Sequence, residues 1–399
     1  MRDGLGTRLR RARRARGFSQ QQIASRAGIS RQAVSAIETG IADPSLRVAF
    51  ALARALDTTV GDLFGTGNPA APVAAASVAP LGGTGARVML APMGTGYVAL
   101  PLRGTTVGQA GFLPASGLAA GTGPGRRRAG RTVRPIGPAR PTLVAAGCDP
   151  ALPLLAEPLG LLDPPVGFTW WPCPSRQALE LAADGLVHVA GAHLRGQDGD
   201  YNTGAAAGLL PGGGEVIGFC SWREGLALRP GRAGGISGIR DLAERGLRLV
   251  NREPGAEART LLDRELASAG IPASQLPGYD TRAAGHLHLA AAIAAGLADA
   301  GIASEPAARA HDLAFVPLAA EHFDLVIPAR LVSTPEVQGL LKVLSSAWLL
   351  DQLASLPGYD PARCGEQIAT LPSRQLGMHA GCGAIAVWAE RSVVTSRRA

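Results

Sequence analysis

The sequence predicts a multidomain protein, with a small all-α domain of five helices at the N-terminus and a larger α/β domain of two lobes after it. Three observations support this division. Short helices punctuated by capping residues fill the first 65 residues, and strand-like and helical runs alternate from residue 142 onward. Between these two patterns, residues 65–85 are rich in Gly, Ala and Pro and lack both charge and periodicity.

The domain boundaries are placed where composition and periodicity change. Residues 1–65 are assigned to the helical domain, and residues 66–140 to a linker with short β-strands at Arg87–Leu90, Tyr97–Leu102 and Gly111–Leu113. In residues 141–376 the alternation favours parallel sheets with helices on both faces, in two lobes with a cleft between them. The tail, 377–399, shows little pattern and is assigned no role.

Charge is distributed unevenly along the chain. Residues 1–65 carry 11 arginines and 5 acidic residues, residues 66–140 carry 8 arginines and no acidic residue, and the rest has a net charge of −6. A basic N-terminal part, residues 1–140, followed by an acidic C-terminal part indicates that only the N-terminal part has a polyanionic partner. At this point the alternative of a basic tail without function stays open.

Composition argues against several classes of protein. No run of 18 apolar residues could span a membrane, and no apolar core follows the basic start as in a secretory signal. The 5 cysteines are scattered without a Cys-x-x-Cys pair, which makes a zinc site or a disulfide framework unfavourable. We therefore expect a cytoplasmic protein that contacts no membrane and needs neither a metal nor a cofactor.

Two consecutive helices near the N-terminus are separated by a tight turn. Ser19 and Gln22 form a capping box that begins the first of them, and Gly28 ends it. Ser30 begins the next helix, and Gly40 ends it. This spacing is typical of a helix-turn-helix, in which the second helix enters the major groove of DNA.

The helix that begins at Ser30 has one apolar and one polar face. Val34 and Ile37 face inward, and the opposite face carries Arg31, Gln32, Ser35, Ala36 and Thr39. The side chain of Arg31 can form a bidentate contact with guanine, and that of Gln32 can do the same with adenine. Ala36 offers only a methyl contact.

The run from Gly17 to Phe64 resembles the lambda-repressor-like (XRE-type) DNA-binding domain, over about residues 5–64. The resemblance implies that Arg31, Gln32 and Ala36 read bases, that Gln20 clamps a phosphate, and that Glu38 pairs with Arg13. The matching positions are Ser19-Gln20, Ile23-Ala24, Gly28, Ser30, Val34, Ile37-Glu38, Gly40, Pro44-Ser45 and Leu63-Phe64. The predicted DNA-binding residues are Gln20, Ser30, Arg31, Gln32, Ser35 and Ala36.

Several segments between residues 142 and 376 resemble the periplasmic-binding-protein-like domain of some bacterial regulators, including regulators linked to molybdate and molybdopterin metabolism. The matching segments include AAGCDPALPLLA, GLVHVAGAHL and GLRLVNREPGAEARTLLDRELASAGI. The resemblance implies two α/β lobes that close on a small ligand in the type II arrangement. An oxyanion or a cofactor-related molecule is the ligand that it suggests.

The ligand is expected at strand-to-helix junctions, where free backbone N–H groups favour anions. Three junctions qualify, and the predicted ligand-binding residues are Cys148, Asp149, Ser175, Asn251, Arg252, Gly255 and Arg259. Glu257 follows the third junction, and a carboxylate at that place disfavours an anion. Arg252 and Arg259 can restore positive potential there, although an ion pair with Glu253 or Glu257 is an equal alternative.

The sequence contains no recognisable catalytic motif. His193, His286 and His288 are interpreted as capping or lining residues, and no nucleophile lies near His193 along the chain. We therefore expect a non-enzymatic, homodimeric transcriptional regulator that binds double-stranded DNA and senses a small molecule. The alternative is an enzyme of cofactor metabolism, or a ligand-binding protein, tethered to DNA.

Overall fold

The computed structural model describes residues 5–64, 71–121, 131–137, 139–196 and 200–373. The chain divides into two units, Met1–Pro141 and Thr142–Ala399. The tail assigned to 377–399 lies outside the described residues. In the described ranges, no helix is both long and apolar enough to cross a membrane.

The first unit begins with the five predicted helices. They pack around a small core in which Leu9, Ile23, Val34, Leu52 and Leu56 are fully buried. The helices are α1 (Leu5–Ala15), α2 (Gln20–Ala27), α3 (Arg31–Thr39), α4 (Leu46–Ala55) and α5 (Val60–Phe64). The prediction of an all-α domain at this end of the chain is confirmed.

A closed five-stranded barrel follows, in the order β1-β3-β2-β4-β5. Its parts are β1 (Val73–Ser77), β2 (Arg87–Met93), β3 (Gly96–Pro101), the short helix α6 (Thr105–Ala110), β4 (Gly117–Ala119) and β5 (Arg131–Pro135). The strands at Arg87 and Tyr97 agree with the sequence analysis, whereas Gly111–Leu113 is not a strand.

Because five strands of this segment close into a barrel, the description of residues 66–140 as a linker with short strands was wrong. The interior of the barrel is filled by small side chains together with a few larger ones, namely Ala75, Leu81, Val88, Leu90, Ala99, Ala119 and Val133. A segment rich in Ala and Gly gives a weak strand signal, and closure depends on pairs distant along the chain, such as Val73 with Val133.

The second unit contains one large mixed sheet in the order β12-β9-β13-β8-β6-β7, with β14 also paired to β9. A separate two-stranded sheet pairs β10 with β11. The strands are β6 (Thr142–Gly147), β7 (Gly167–Pro172), β8 (Val189–Ala192), β9 (Gly214–Leu228), β10 (Asn251–Arg252), β11 (Arg282–Ala283), β12 (Ala300–Ser304), β13 (Ala314–Pro328) and β14 (Gln367–Leu371).

Helices cover this sheet and connect its strands. They are α7 (Ala156–Gly160), α8 (Ser175–Ala183), α9 (Thr203–Leu209), α10 (Ile239–Glu244), α11 (Glu257–Ala269), α12 (Gly285–Ala294), α13 (Glu305–Arg309), α14 (Pro335–Leu344) and α15 (Ala347–Ser355). β6 is parallel to both β7 and β8, as predicted. β9 pairs with β12 and β13 in antiparallel fashion, so the sheet is mixed, and the expectation of parallel sheets was correct only for β6, β7 and β8.

Two long antiparallel strands run through both lobes. β9 and β13 have 15 residues each, and they pair along their whole length. Phe219 and Phe323 belong to the core of the first lobe, whereas Leu226 and Val316 pack in the core of the second lobe. Residues 221–224 and 320–322 are therefore the crossing segments that connect the lobes.

Candidate functional site

The two ends of α2 and the start of α3 are fixed by local capping interactions. The Ser19 hydroxyl accepts from the Gln22 backbone N–H at 3.2 Å, and the Gln22 side-chain carbonyl accepts from the Ser19 backbone N–H at 2.8 Å. Gly28 adopts a φ of 66°, a left-handed conformation that favours glycine. The Ser30 hydroxyl accepts from the Ala33 backbone N–H at 3.1 Å. Ser30 is thus a helix cap, and α3 begins with its next two side chains exposed.

The orientation of α3 separates packing residues from candidate contact residues. Val34, Ile37 and Glu38 are buried against the other helices. Arg31 and Gln32 are exposed, and the predicted contact residues Ser35 and Ala36 are partly buried. The face that presents Arg31 and Gln32 is therefore the candidate DNA-reading surface, and the base contacts themselves stay predictions.

A buried ion pair holds α3 against α1. The Arg13 guanidinium donates to both carboxylate oxygens of Glu38, from Nε at 2.6 Å and from Nη2 at 2.9 Å. The predicted structural pairing of these two residues is confirmed. The Gln20 side-chain amide also donates to Glu38, at 2.9 Å. This contact fixes the Gln20 side chain at the start of α2, next to the backbone N–H groups that would meet a phosphate.

The second candidate site is a set of buried side chains beside the crossing segments of β9 and β13, called the cleft below. Side chains near the carboxyl ends of strands, the place expected for ligands of α/β proteins, converge there with side chains of the crossing segments. They come from both lobes and from the crossing segments themselves: Cys148, Ser175, His193, Trp222, Glu224, Arg252, His286, Ser304 and Glu321. Each is almost fully buried.

A chain of polar contacts runs through His193. Its Nε2 atom lies 3.1 Å from the Cys148 Sγ atom, and its Nδ1 atom lies 3.4 Å from the Glu321 carboxylate. The Ser175 hydroxyl accepts from the His193 backbone N–H at 3.1 Å. Burial alone would lower the pKa of His193, but Cys148 and Glu321 raise it well above its usual value. The contacts with Cys148 and Glu321 therefore favour the protonated form of this buried ring.

This contact corrects the sequence analysis, which placed no nucleophile near His193. Cys148 and His193 are 45 residues apart along the chain, and only the parallel arrangement of β6 and β8 brings their side chains together. Asp149, the neighbour of Cys148, is fully buried and accepts from the Tyr359 hydroxyl at 2.6 Å. Burial raises the pKa of the Asp149 carboxyl.

Arg252 and Glu224 are buried charges with incomplete hydrogen bonding. Arg252 donates to the Glu253 carboxylate from Nε at 2.9 Å and from Nη2 at 3.1 Å. Among the described residues, its Nη1 atom has no hydrogen-bond partner, and neither carboxylate oxygen of Glu224 has one. Burial raises the pKa of Glu224 to about 7. Unpaired buried groups of this kind are rare in proteins and are typical of functional sites.

His286 is a neutral hydrogen-bond donor in this cleft. The Ser304 backbone N–H donates to its Nδ1 atom at 3.1 Å, so the neutral ring carries its proton on Nε2. Burial and the positive charge of Arg252 lower the pKa of His286 well below its usual value. In the part of the chain that the structure describes, the Nε2 atom of His286 and the Ser304 hydroxyl have no hydrogen-bond partner.

The other predicted ligand residues lie around the third junction without reaching the convergent set. Asn251 bonds its own loop, since its side-chain oxygen accepts from the Arg252 backbone N–H at 2.8 Å. Arg259 stacks on the Tyr279 ring at 4.8 Å. Gly255 forms the turn before α11 with a φ of 87°. The structure thus brings Cys148, Ser175 and Arg252 together, with Asp149 behind Cys148.

Two sets of side chains within the described ranges place possible metal ligands within 4.8 Å of one another. One set is Cys148, His193 and His286, and the other is His193, Glu224 and Glu321. A ring nitrogen that carries a proton cannot coordinate a metal. The Ser304 hydrogen bond places that proton on Nε2 of His286, which leaves the first set with two ligands, fewer than structural zinc sites use.

Glu224→Gln should stabilise the second unit above pH 7. The folded pKa of about 7 lies above the unfolded value of 4.5, so between these pH values the folded state holds a proton that the unfolded chain has lost. The free energy of unfolding therefore falls as pH rises through this window, by on the order of 3 kcal/mol. Urea unfolding, followed by tryptophan fluorescence at pH 5 and pH 8, should show this fall in the free energy of unfolding for the wild type and not for the variant. Glu157→Gln, at an exposed site on α7, is the matched control, and a variant less stable than wild type at pH 8 would contradict the expectation.

Comparisons with known protein families match two separate segments of the chain. A family described as helix-turn-helix matches residues 9–63, and a family described as a PBP superfamily domain matches residues 156–345. A transcriptional regulator of the HTH type from Archaeoglobus fulgidus is 36% identical over 60 residues, which cover 15% of this chain and 86% of that protein.

Further matches are found among known proteins and among solved structures. The YvgK protein of Bacillus subtilis is 29% identical over 186 residues, which are 46% of this chain. The chain spans only 60% of the length of that relative. Among solved structures, the restriction-modification controller protein C.AhdI of Aeromonas hydrophila is 40% identical and superposes with a TM-score of 0.15. That match covers 15% of this chain and 91% of C.AhdI.

Proposed function

Because the chain belongs to the helix-turn-helix family and joins this domain to a PBP-like ligand-binding domain, we propose that it is a transcriptional regulator that recognises a specific operator and responds to a small molecule. The helix-turn-helix would bind operator DNA, and the cleft of the second unit would bind the effector. By linkage, an effector that changes operator affinity has its own affinity changed by the operator to the same extent.

The observation that carries this proposal is the exposed start of α3. Arg31 and Gln32 follow the Ser30 cap directly, on a helix whose opposite face is anchored by Val34, Ile37 and the Arg13–Glu38 pair. Arginine pairs best with guanine and glutamine with adenine through two hydrogen bonds each. Ser35 and Ala36 lie one turn further along α3, where a hydroxyl and a methyl group can meet the next bases.

The proposed operator has two half-sites, and the proposed regulator is a homodimer. A single small DNA-binding domain buries too little surface for tight and specific binding, so two copies on successive turns of DNA are expected. The net charge of +6 on residues 1–65 favours approach to the phosphate backbone. The same charge would give strong salt dependence to operator binding.

Selection from a random double-stranded DNA library at physiological salt tests this proposal. The full-length protein should enrich a two-fold symmetric motif with half-sites about 10 base pairs apart, or a multiple of that spacing. Titration of the effector against the enriched DNA should change its affinity. Recovery of random sequence after repeated rounds would reject the regulator.

One observation favours a second candidate, a thiol-dependent acyl-transfer enzyme tethered to DNA. Cys148, His193 and Glu321 are arranged as a nucleophile, a base and an orienting carboxylate, at 3.1 Å and 3.4 Å. The Cys148 thiol would pass its proton to His193 as the sulfur attacks the acyl carbon, and His193 would deliver that proton to the leaving group as its bond to the acyl carbon breaks. Water, deprotonated by His193, would then release the acyl group from the sulfur.

A burst experiment with p-nitrophenyl acetate separates this candidate from the regulator. The enzyme should release about one p-nitrophenolate per chain rapidly and then turn over slowly. Cys148→Ser should abolish the burst, whereas Cys364→Ser should retain it, since the Cys364 thiol bonds the Leu344 carbonyl instead. Equal traces from wild type and both variants would remove the enzyme from consideration.

A further inference from the structure

We propose that the cleft of the second unit binds a small anion that carries its own hydrogen-bond donor, and that Glu224 selects this anion over anions that only accept hydrogen bonds. Phosphate with a bound proton, hydroxy acids and amino acids share this chemistry. The inference rests on the proposed sensing function and names the class of effector.

The donors of the cleft define where the acceptor atoms of the ligand would lie. Among the buried atoms of the described residues that have no hydrogen-bond partner, four are donors in this cleft: Arg252 Nη1, Trp222 Nε1, His286 Nε2 and Ser304 Oγ. They come from different elements, and the rings of His193, Trp222 and His286 lie between 5.5 and 6.5 Å from one another. A set of convergent donors with one fixed guanidinium is complementary to the oxygens of an anion.

The Arg252 side chain is held ready for this contact. Its Nε and Nη2 atoms donate to the Glu253 carboxylate, and among the described residues its Nη1 atom has no hydrogen-bond partner. Arg252 is 1% exposed, and the two hydrogen bonds to Glu253 orient its guanidinium. His193 lies beside this set, but its two ring nitrogens are already engaged by Cys148 and Glu321.

Glu224 makes the site unsuitable for an anion that has acceptors alone. Its two carboxylate oxygens have no hydrogen-bond donor among the described residues. The Glu224 carboxylate lies 3.8 Å from Nδ1 of His286, an atom already engaged by the Ser304 backbone N–H. A ligand oxygen next to Glu224 would face repulsion, whereas a ligand O–H or N–H would supply the missing hydrogen bond.

Matched pairs of small anions test this selection on the full-length protein. Phosphate and sulfate have similar shapes and differ in the O–H group, and glycolate and glycine each add one donor-bearing group to the skeleton of acetate. Molybdate and tungstate are further donor-free probes. Thermal shifts and calorimetry at pH 7.5 should show at least one donor-bearing anion binding about 10- to 100-fold more tightly than its donor-free counterpart. Binding of glycolate, glycine or phosphate would indicate that the effector is a hydroxy acid, an amino acid or a phosphate, respectively.

Variants at three positions separate selection from folding. Glu224→Gln should bring the affinities of the two members of the pair to within about 3-fold of each other, while Glu157→Gln leaves the ratio unchanged. Ser304→Ala, a small change, should weaken the bound anion about 3- to 30-fold.

Three outcomes would overturn the inference: no anion of the set binds, a donor-free anion binds as well as its counterpart in the wild type, or zinc alone stabilises the protein through Cys148 and His193. Operator selection is measured without any anion. A failed selection would therefore reject the regulator and leave the result on the anions standing.

Discussion

The double substitution Arg31→Ala and Gln32→Ala should lower the preference of the protein for its operator over random DNA by about 100- to 10,000-fold. Each bidentate contact with a base contributes about 1–3 kcal/mol of discrimination, and both side chains are exposed, so their removal leaves the helical core unchanged. Fluorescence anisotropy with operator and random duplexes at the same salt concentration measures the ratio of the two affinities.

The control for this prediction is Arg54→Ala. Arg54 is an exposed arginine in the last turn of α4, away from the start of α3. Its loss removes one positive charge, so it should weaken binding to both duplexes to a similar extent and leave their ratio within about 2-fold. If the double variant also kept its ratio, α3 would not be the reading helix.

Glu38→Ala should destabilise the helical domain by about 3–5 kcal/mol. The substitution removes the acceptor of three hydrogen bonds and leaves the Arg13 guanidinium buried without its partner. Since small domains have little stability in reserve, the helix-turn-helix should be largely unfolded at 37 °C. Hydrogen exchange of peptides that cover residues 19–40 in the full-length protein reports this loss directly.

The same carboxylate gives the domain a defined response to acid. Burial alone would raise the pKa of Glu38, but Arg13 and Gln20 outweigh this effect and lower it below 4.5. A carboxylate with a lowered folded pKa adds stability above its unfolded pKa, and this stability is lost as pH falls toward the folded value. The domain should therefore weaken below about pH 4.5.

The control for Glu38→Ala is Asp43→Ala, at an exposed site, which should change the stability of the domain by less than about 0.5 kcal/mol. An equal loss of stability from Glu38→Ala and Asp43→Ala would contradict the importance of the buried pair.

The helical domain could be predicted from sequence because its signals are local. Ser19 with Gln22, Gly28 and Ser30 each act within three residues of their own position, so a window of the sequence contains the whole cause. The barrel was missed because its strands pair across up to 60 residues and its interior accepts alanine. Small side chains give little periodicity from which a strand can be recognised.

The candidate cleft could be predicted only in part, for a related reason. Cys148, Ser175 and Arg252 follow or end strands, and the rule that ligands lie at such junctions finds them. Trp222, Glu224 and Glu321 lie within the long strands β9 and β13, where nothing in the neighbouring sequence distinguishes them. Their convergence depends on the pairing of Trp222 with Glu321, two residues 99 positions apart in the chain.

The continuity of β9 and β13 means that the proposed effector binding and any closing of the lobes involve the same residues. Opening or closing the lobes requires the backbone to flex at 221–224 and 320–322, the segments that also carry Trp222, Glu224 and Glu321. A substitution that changes what the cleft accepts therefore also changes the stiffness of the hinge. Affinity for the effector and amplitude of the response should vary together across variants of these two segments.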